Sequence, residues 1–305
     1  MGTNLLSFGE KILTVNRNAL SFYSDPYNPL DLPPYTMRLK FTEGVTPTFR
    51  TDLSGLTYTQ VSSSPNVWDV RLRNTSWFCP VDTTSRNDVI ELLGANPTSY
   101  VRETRNMFAN CESLTSVALF DTSSITDMDS MFGYCSSLTT IPAFPTGNVT
   151  DMSGMFNSCT SLTSVPLLDT SHVTTFVSMF LGCSSLTTVP QFNTSSATVM
   201  SSMFMNCTHL VSVPLLDTSS VTDMASMFNY CVRLTSIPLF NTSACRDMYT
   251  MFDSCRKVES GALALYNQAS SQSPGVTRHN YCFRNCGADT TTGRAELAQI
   301  GTGWK

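Results

Sequence analysis

A Met-Phe pair begins at Met107, Met131, Met155, Met179, Met203, Met227 and Met251, and a cysteine stands four residues after each of these methionines. Every interval is 24 residues, and the unit reads MFxxCxSLTSVPLLDTSxVTDMxS. A repeat this strict leaves few folds open. One such unit cannot bury its own apolar stripe, so each copy must be covered by the next and the chain grows as a stack of rungs. Neighbouring rungs are then spaced like paired strands, about 4.8 Å apart.

Two patterns alternate inside the unit. Val221, Met224, Met227 and Phe228 fall at i, i+3, i+6 and i+7, which predicts a short helix. Thr222 and Asp223 stand at its start, where oxygen acceptors and negative charge suit free N–H groups. The other half, such as SLTSV at 161–165, favours a strand. The expectation is an α/β repeat solenoid, leucine-rich-repeat-like, with parallel strands on one wall and a short helix per rung. Pro142, Pro166, Pro190, Pro214 and Pro238 share one repeat position. Proline cannot donate to a sheet ladder, so the strand should end there.

Stacking predicts columns. Leu114, Leu138, Leu162, Leu186, Leu210 and Leu234 should form one buried column. Cys111, Cys135, Cys159, Cys183, Cys207, Cys231 and Cys255 should form a ladder of small apolar side chains beside it. In such a ladder the side chains run parallel, which disfavours disulfides between neighbours. A zinc site from His279, Cys282, Cys286 and Cys255 is the other reading. The HxxCxxxC spacing lacks a paired CxxC, and the repeat already accounts for the three cysteines. Neither a metal nor another cofactor is expected. The stacked methionines read as core rather than as a soft-metal surface.

Charged residues are 13% of the chain and the net charge is −5. That balance gives no footprint for nucleic acid and no basic cluster for an anionic membrane. No stretch reaches the roughly 18–20 apolar residues of a membrane span, so no membrane insertion is expected. The opening MGTNLLSFGEKILTVNRNALSFYS has no basic segment followed by a long apolar run, and no cleavable export signal is expected. Abundant Ser and Thr could signal a stalk, but 41% hydrophobic residues at strict spacing predict a packed fold.

Catalysis finds no arrangement to support it, and the chain is not expected to be an enzyme. His172, His209 and His279 are not set with a Ser or Cys in a recognisable pattern. Asp127, Asp151, Asp223 and Asp247 occupy one repeat position and read as helix-start charges rather than acid/base pairs. Asn74, Asn148, Asn193, Asn206 and Asn241 match a glycosylation acceptor pattern, which arises freely in a Ser/Thr-rich repeat.

Variation between copies falls at the two positions after Met-Phe, just before it (Tyr249), and in the turn (His172). Solvent accepts many residues, so variation alone is not binding. Tyr134, Tyr230 and Tyr249 nevertheless place rings where a solvated turn needs none, and aromatics anchor protein and sugar surfaces. The candidate binding surface is therefore Tyr134, His172, Met205, Tyr230 and Tyr249.

The flanks differ from the repeat. Residues 1–96 read as a mostly-β module. KILTV and ALSFY flank Asn16-Arg17-Asn18 as a hairpin, Pro26 to Pro34 connects, and TMRLKF, LTYTQV and NVWDVRL alternate as strands. Ser85 to Leu93 reads as a helix. PTSYVRETRNMF at 97–108 aligns with the repeat, so the solenoid is placed at 97–254 with the first module covering its open end. Residues 255–305 are a modified last rung and cap, with helices at 261–269 and 291–300.

The unit MFxxCxSLTSVPLLDTSxVTDM resembles the BspA-like leucine-rich repeats of bacterial surface proteins, over about 97–286. The resemblance implies a leucine-rich-repeat-like coil with adhesion or recognition roles. Members of that family usually carry export signals and anchors, and neither is expected here. The segments LLSFGEKILTVNRNALSFYS, KFTEG–NVWDV and FRNCGADTTTGRAELAQIGTGWK resemble gut bacteriophage proteins. That implies a virion protein assembled in a reducing host cytoplasm, where free cysteines persist. The first reading is a phage virion appendage or tail-associated protein attaching to a host-surface protein or glycan, docked on other virion proteins through residues 1–96. A bacterial surface adhesin and a cytoplasmic protein-binding scaffold are the alternatives, and self-association is left open.

Overall fold

The computed structural model describes residues 5–8, 11–16, 19–22, 36–50, 56–63, 65–71, 80–96, 101–273 and 275–305. The fold is rich in paired backbone and poor in helices. Strands β1 (Leu5–Phe8), β2 (Lys11–Asn16) and β3 (Ala19–Phe22) form one antiparallel sheet. Strands β4 (Thr36–Phe41), β5 (Thr57–Ser63), β6 (Asn66–Arg71), β7 (Val89–Asn96) and β8 (Ser116–Val117) form another, in the order β5-β6-β4-β7-β8. Arg17, Asn18, the connection Pro26–Pro34, Asn74, Cys79 and residues 97–100 lie outside the described residues. The helix expected over 85–93 is instead one 3-10 turn, Arg86–Asp88, followed by β7. Tertiary pairing decides this: β7 is held by β4 on one side and β8 on the other, which a helix could not be.

β7 joins the second sheet to the first rung. Glu91 and Leu92 pair in parallel with Ser116 and Val117. Beyond this rung the expected strand wall is nearly absent, with a single bridge between Ser236 and Ser260. Proline explains the difference. Ala118 occupies the position held by Pro142, Pro166, Pro190, Pro214 and Pro238 in later rungs, and its N–H donates to the Leu92 carbonyl at 2.8 Å. A proline there has no N–H to give, so the ladder shrinks to single bonds such as Thr163 N–H to Thr139 O at 3.2 Å.

The short helix expected in each rung is also absent. Its place is taken by a run of turns. Val221, Met227, Cys231 and Leu234 each donate N–H to the carbonyl three residues back, while Met224 N–H crosses to the Asp247 carbonyl at 2.9 Å. Three-residue steps place Val221, Met224, Met227, Phe228, Cys231 and Leu234 on one buried side, which imitates helical spacing. What breaks the helix is a left-handed residue on either side of Met-Phe. Ser226 (φ 58°) precedes Met227 and Tyr230 (φ 59°) follows Phe228, and other rungs repeat this with Ser, Asn, Gly or Thr. The intervening amides then turn outward along the stack. Met128, Ser130, Phe132 and Tyr134 donate to Asp151, Ser153, Met155 and Asn157 at 3.0, 2.8, 2.9 and 2.6 Å. Bridges from Glu103 to Asp127 and onward to Asp247 mark the same parallel ladder, linking residues 24 apart.

Side chains complete the stack. Leu114, Leu138, Leu162, Leu186, Leu210 and Leu234 are fully buried. Phe108, Phe132, Phe156, Phe180, Phe204, Phe228, Phe252 and Phe283 form one continuous offset stack, with centroids 5.2–5.8 Å apart. Trp304 covers its end at 6.2 Å. Buried threonines add polar stitching: the hydroxyls of Thr146, Thr170, Thr194 and Thr218 each donate to a carbonyl of the next rung at 2.8 Å. Helices α1 (Ala262–Ser271) and α2 (Thr291–Gln299) close the C-terminal side. Gly261 allows the turn into α1, because a Cβ there would lie 2.1 Å from the Ile237 carbonyl oxygen.

Replacing Leu186 by Ala leaves a void in a column with no mobile neighbour to fill it. The expected loss of unfolding free energy in denaturant titration is roughly 2–5 kcal/mol. A loss below about half a kcal/mol would contradict this packing.

Candidate functional site

The cysteine ladder is the first chemical feature to place. Cys111 through Cys255 are fully buried, as are Cys245 and Cys282, with Cys286 nearly so. The ten described cysteines are free thiols. Each ladder thiol from Cys135 onward points at the Phe carbonyl of the preceding rung: Cys135 to Phe108, Cys159 to Phe132, and so on to Cys255 and Phe228, at 3.0–3.1 Å. Cysteine therefore serves as a small apolar filler that also donates. Burial disfavours the thiolate and pushes Cys159 and Cys245 up to about 12, with Cys183, Cys207 and Cys282 raised well above the ordinary thiol value for the same cause. Nucleophilic or redox work needs an accessible thiolate, which this environment suppresses.

The repeated aspartates do not start helices, since no helix is there. Oδ1 of Asp127, Asp151, Asp223 and Asp247 accepts the N–H two residues on, at 2.8–2.9 Å, fixing the turn that leads into Met-Phe. His172 is exposed beside Ser171 Oγ at 3.2 Å, and His209 Nδ1 lies 2.6 Å from the Ser184 carbonyl oxygen. His279 stacks on Trp304, with centroids 4.2 Å apart. Among the described residues, no three His, Cys, Asp or Glu side chains are grouped to hold a metal ion, and no helix is long and apolar enough to cross a membrane.

Tyr134 and Tyr230 share one column on the edge formed by the left-handed residues and are about half exposed, at 50% and 48%. They stand four rungs apart, about 19 Å at strand spacing. Met205 lies in the adjacent column and is half-buried. Tyr249 stands two residues before Met251-Phe252 and is half-buried. His172 belongs to a different repeat position, the turn ahead of Val173.

Two partners of Tyr249, Tyr281 and Arg278, were not singled out by the sequence pattern, nor was Arg284 beside Tyr281. Arg278 lies over the Tyr249 ring at 4.4 Å, Arg284 lies over Tyr281 at 4.8 Å, and the two tyrosines meet edge to face at 6.3 Å. The last rung hides them because an insertion lengthens its register: Arg278 bridges Asp247 across 31 residues instead of 24. Aligning CFRNC with MFxxC was the signal that locates them, since it puts Tyr281 at the left-handed position before Met-Phe. A second surface feature is a stripe of exposed leucines just after the proline position, Leu119, Leu167, Leu215 and Leu239, each 53–64% exposed. Leu215 and Leu239 line a shallow groove with Asp217 and Asn241.

With this geometry in view, the chain can be compared with known proteins. The family model described as "Mycoplasma protein of unknown function, DUF285" matches residues 83–188, 136–233, 162–265 and 187–288, well over half of the chain. The protein belongs to that family. No curated protein matches it. Among solved structures it is similar to a leucine-rich repeat protein from Eubacterium ventriosum, at 15% identity and TM-score 0.43, over 67% of this chain and 62% of that one. It is also similar to a leucine-rich repeat protein from Bacteroides ovatus, at 17% identity and TM-score 0.30, over 56% and 57%. The match spans less than two thirds of either protein.

The thiol environment predicts a sharp contrast. Alkylation of the native protein at pH 8 should leave the ten described cysteines unmodified, and denaturation without reductant should release them all to the reagent. Loss of several of these thiols to disulfides in the unreduced protein would overturn the ladder as described.

Proposed function

We propose that this protein is a non-catalytic recognition protein whose repeat edge presents side chains to a host-surface protein or glycan. One observation carries the reading. Tyr134 (φ 64°) and Tyr230 (φ 59°) hold a left-handed backbone position that Asn110, Gly182 and Asn206 fill in other rungs. A bulky residue is disfavoured there by local sterics, whereas Gly and Asn tolerate it. Half of each ring is in solvent, so the rings contribute little to the core in return. Exposed, positioned tyrosines are what a contact surface requires.

In this reading the 24-residue copy is the structural unit, and residues 1–96 close the first rung through β7. A deletion of 155–178 then removes one rung and should leave a cooperative, slightly shorter fold, because each rung bonds mainly to its neighbours. Deleting half that segment should abolish the thermal transition. Equal tolerance of both deletions counts against the unit.

The setting inside a phage particle rests on the resemblance of the flanking segments, with residues 1–96 docking on other virion proteins. Mass spectrometry of purified virions should then find the chain. Finding it on the bacterial envelope and not in virions favours the surface-adhesin alternative. For the edge itself, a variant with Tyr134, Tyr230 and Tyr249 changed to Ser should keep its thermal transition and lose attachment to host cells. Undiminished attachment removes this edge as the contact site.

A further inference from the structure

Charge is unevenly distributed along the chain. Between residues 107 and 245 a single basic residue, Arg233, stands against eight Asp and Glu. Residues 246–305 hold seven Lys and Arg against five Asp and Glu. The rungs are therefore acidic along most of their length and turn basic at the C-terminal end. The Tyr249–Tyr281 pair lies at that end, with Arg278 and Arg284 stacked on the two rings.

Each guanidinium is fixed from two directions. Arg278 Nη1 reaches Asp247 Oδ2 at 2.8 Å while its Cζ lies over the Tyr249 ring. Arg284 contacts Asp253 through Nη2 and through Nε at 3.1 Å while lying over Tyr281. Asp253 is only 1% exposed, so its charge needs Arg284 as a partner. The arginines themselves stay about half exposed, at 58% and 48%. A guanidinium carries five N–H donors. Among the described residues these contacts use one from Arg278 and two from Arg284, so each retains donors. Tyr281, at 43% exposure and φ 58°, holds the left-handed position before the last rung's Cys282-Phe283, which Ser226 and Thr250 fill in the rungs before it. Tyr230 lies within electrostatic reach of Arg284.

We propose that Tyr249, Tyr281, Arg278 and Arg284 form a subsite for a carboxylated sugar, with the guanidinium edges taking the carboxylate and the tyrosines taking the ring. This rests on the recognition reading above and names the ligand class of one part of that surface. Planar, preorganised guanidinium recognises carboxylate in a way a flexible ammonium does not. Tyrosine supplies an apolar face with a polar rim, which suits a pyranose. The patch comprises four side chains at one end, far smaller than the roughly 800 Å² per partner of a standard protein interface. The acidic rungs beside it disfavour a long polyanion lying along the stack, so the acidic group belongs to a terminal sugar.

The test is calorimetric titration of the full chain with sialyllactose and with a glucuronate-terminated disaccharide, using lactose as the neutral comparison. Both acidic sugars should bind more tightly than lactose, and their binding should weaken as salt is raised. Arg278→Gln should weaken acidic-sugar binding by about tenfold, the loss expected for one charged hydrogen bond, and Tyr281→Asn should weaken it by removing a ring face. Both leave the Asp253–Arg284 pair in place, and Asn suits the left-handed position, so melting temperature should be unchanged. Equal binding of acidic and neutral sugars, or unaltered binding in both variants, overturns the proposal. Host-cell attachment that persists while neither acidic sugar binds removes the subsite and leaves the recognition reading standing.

Discussion

The structure depends on where alternate backbone amides point. In a helix every interior N–H is consumed within the segment. Here one N–H closes a three-residue turn and the next crosses to the neighbouring rung, as with Met131 to Met128 and Phe132 to Met155. The alternation requires a left-handed residue on either side of Met-Phe, and the chain supplies Ser, Asn, Gly, Thr or Tyr there. Without those residues the segment would close into a helix, and the rungs would lose the bonds that join them.

Side-chain chemistry follows from that backbone. Successive rungs superpose, so identical residues meet identical residues. Phenylalanines stack, threonine hydroxyls meet carbonyls, and thiols meet the Phe carbonyls of the rung before. In the regular rungs from Thr146 to Thr218 and from Cys135 to Cys255 the partner is supplied by the repeat itself, which keeps a buried Thr or Cys column from being a liability. The same geometry sorts inside from outside. Core positions are dictated by their counterparts above and below, whereas the edge positions are free to carry Tyr134, Tyr230 and Tyr249.

The ends show what the repeat cannot do for itself. At the first rung β7 supplies backbone partners, and Ala118 in the proline position lets the pairing extend into a short strand. At the last, Trp304 covers the phenylalanine stack, and its carbonyl accepts the Phe283 N–H at 2.8 Å. The insertion that carries α1 shifts the register there, and that shift brings Arg278 and Arg284 beside tyrosines. The C-terminal end thus acquires a surface chemistry that the regular rungs lack.

Much was legible in the sequence because a strict period forces superposition. The buried leucine and cysteine columns follow from 24-residue spacing alone, since only stacking can bury them. The elements within a rung were not legible. A run of three-residue turns and a helix bury residues at nearly the same spacing, and hydropathy cannot tell them apart. The choice is made by amides that bond to another rung, which no local pattern encodes. The strand wall failed for a reason the sequence did contain: a missing N–H at each proline. Tyr134, Tyr230 and Tyr249 were visible as residues out of place in a turn, but Arg278, Arg284 and Tyr281 were not. Their contacts cross an insertion of irregular length, and only the folded chain brings guanidinium, ring and carboxylate together.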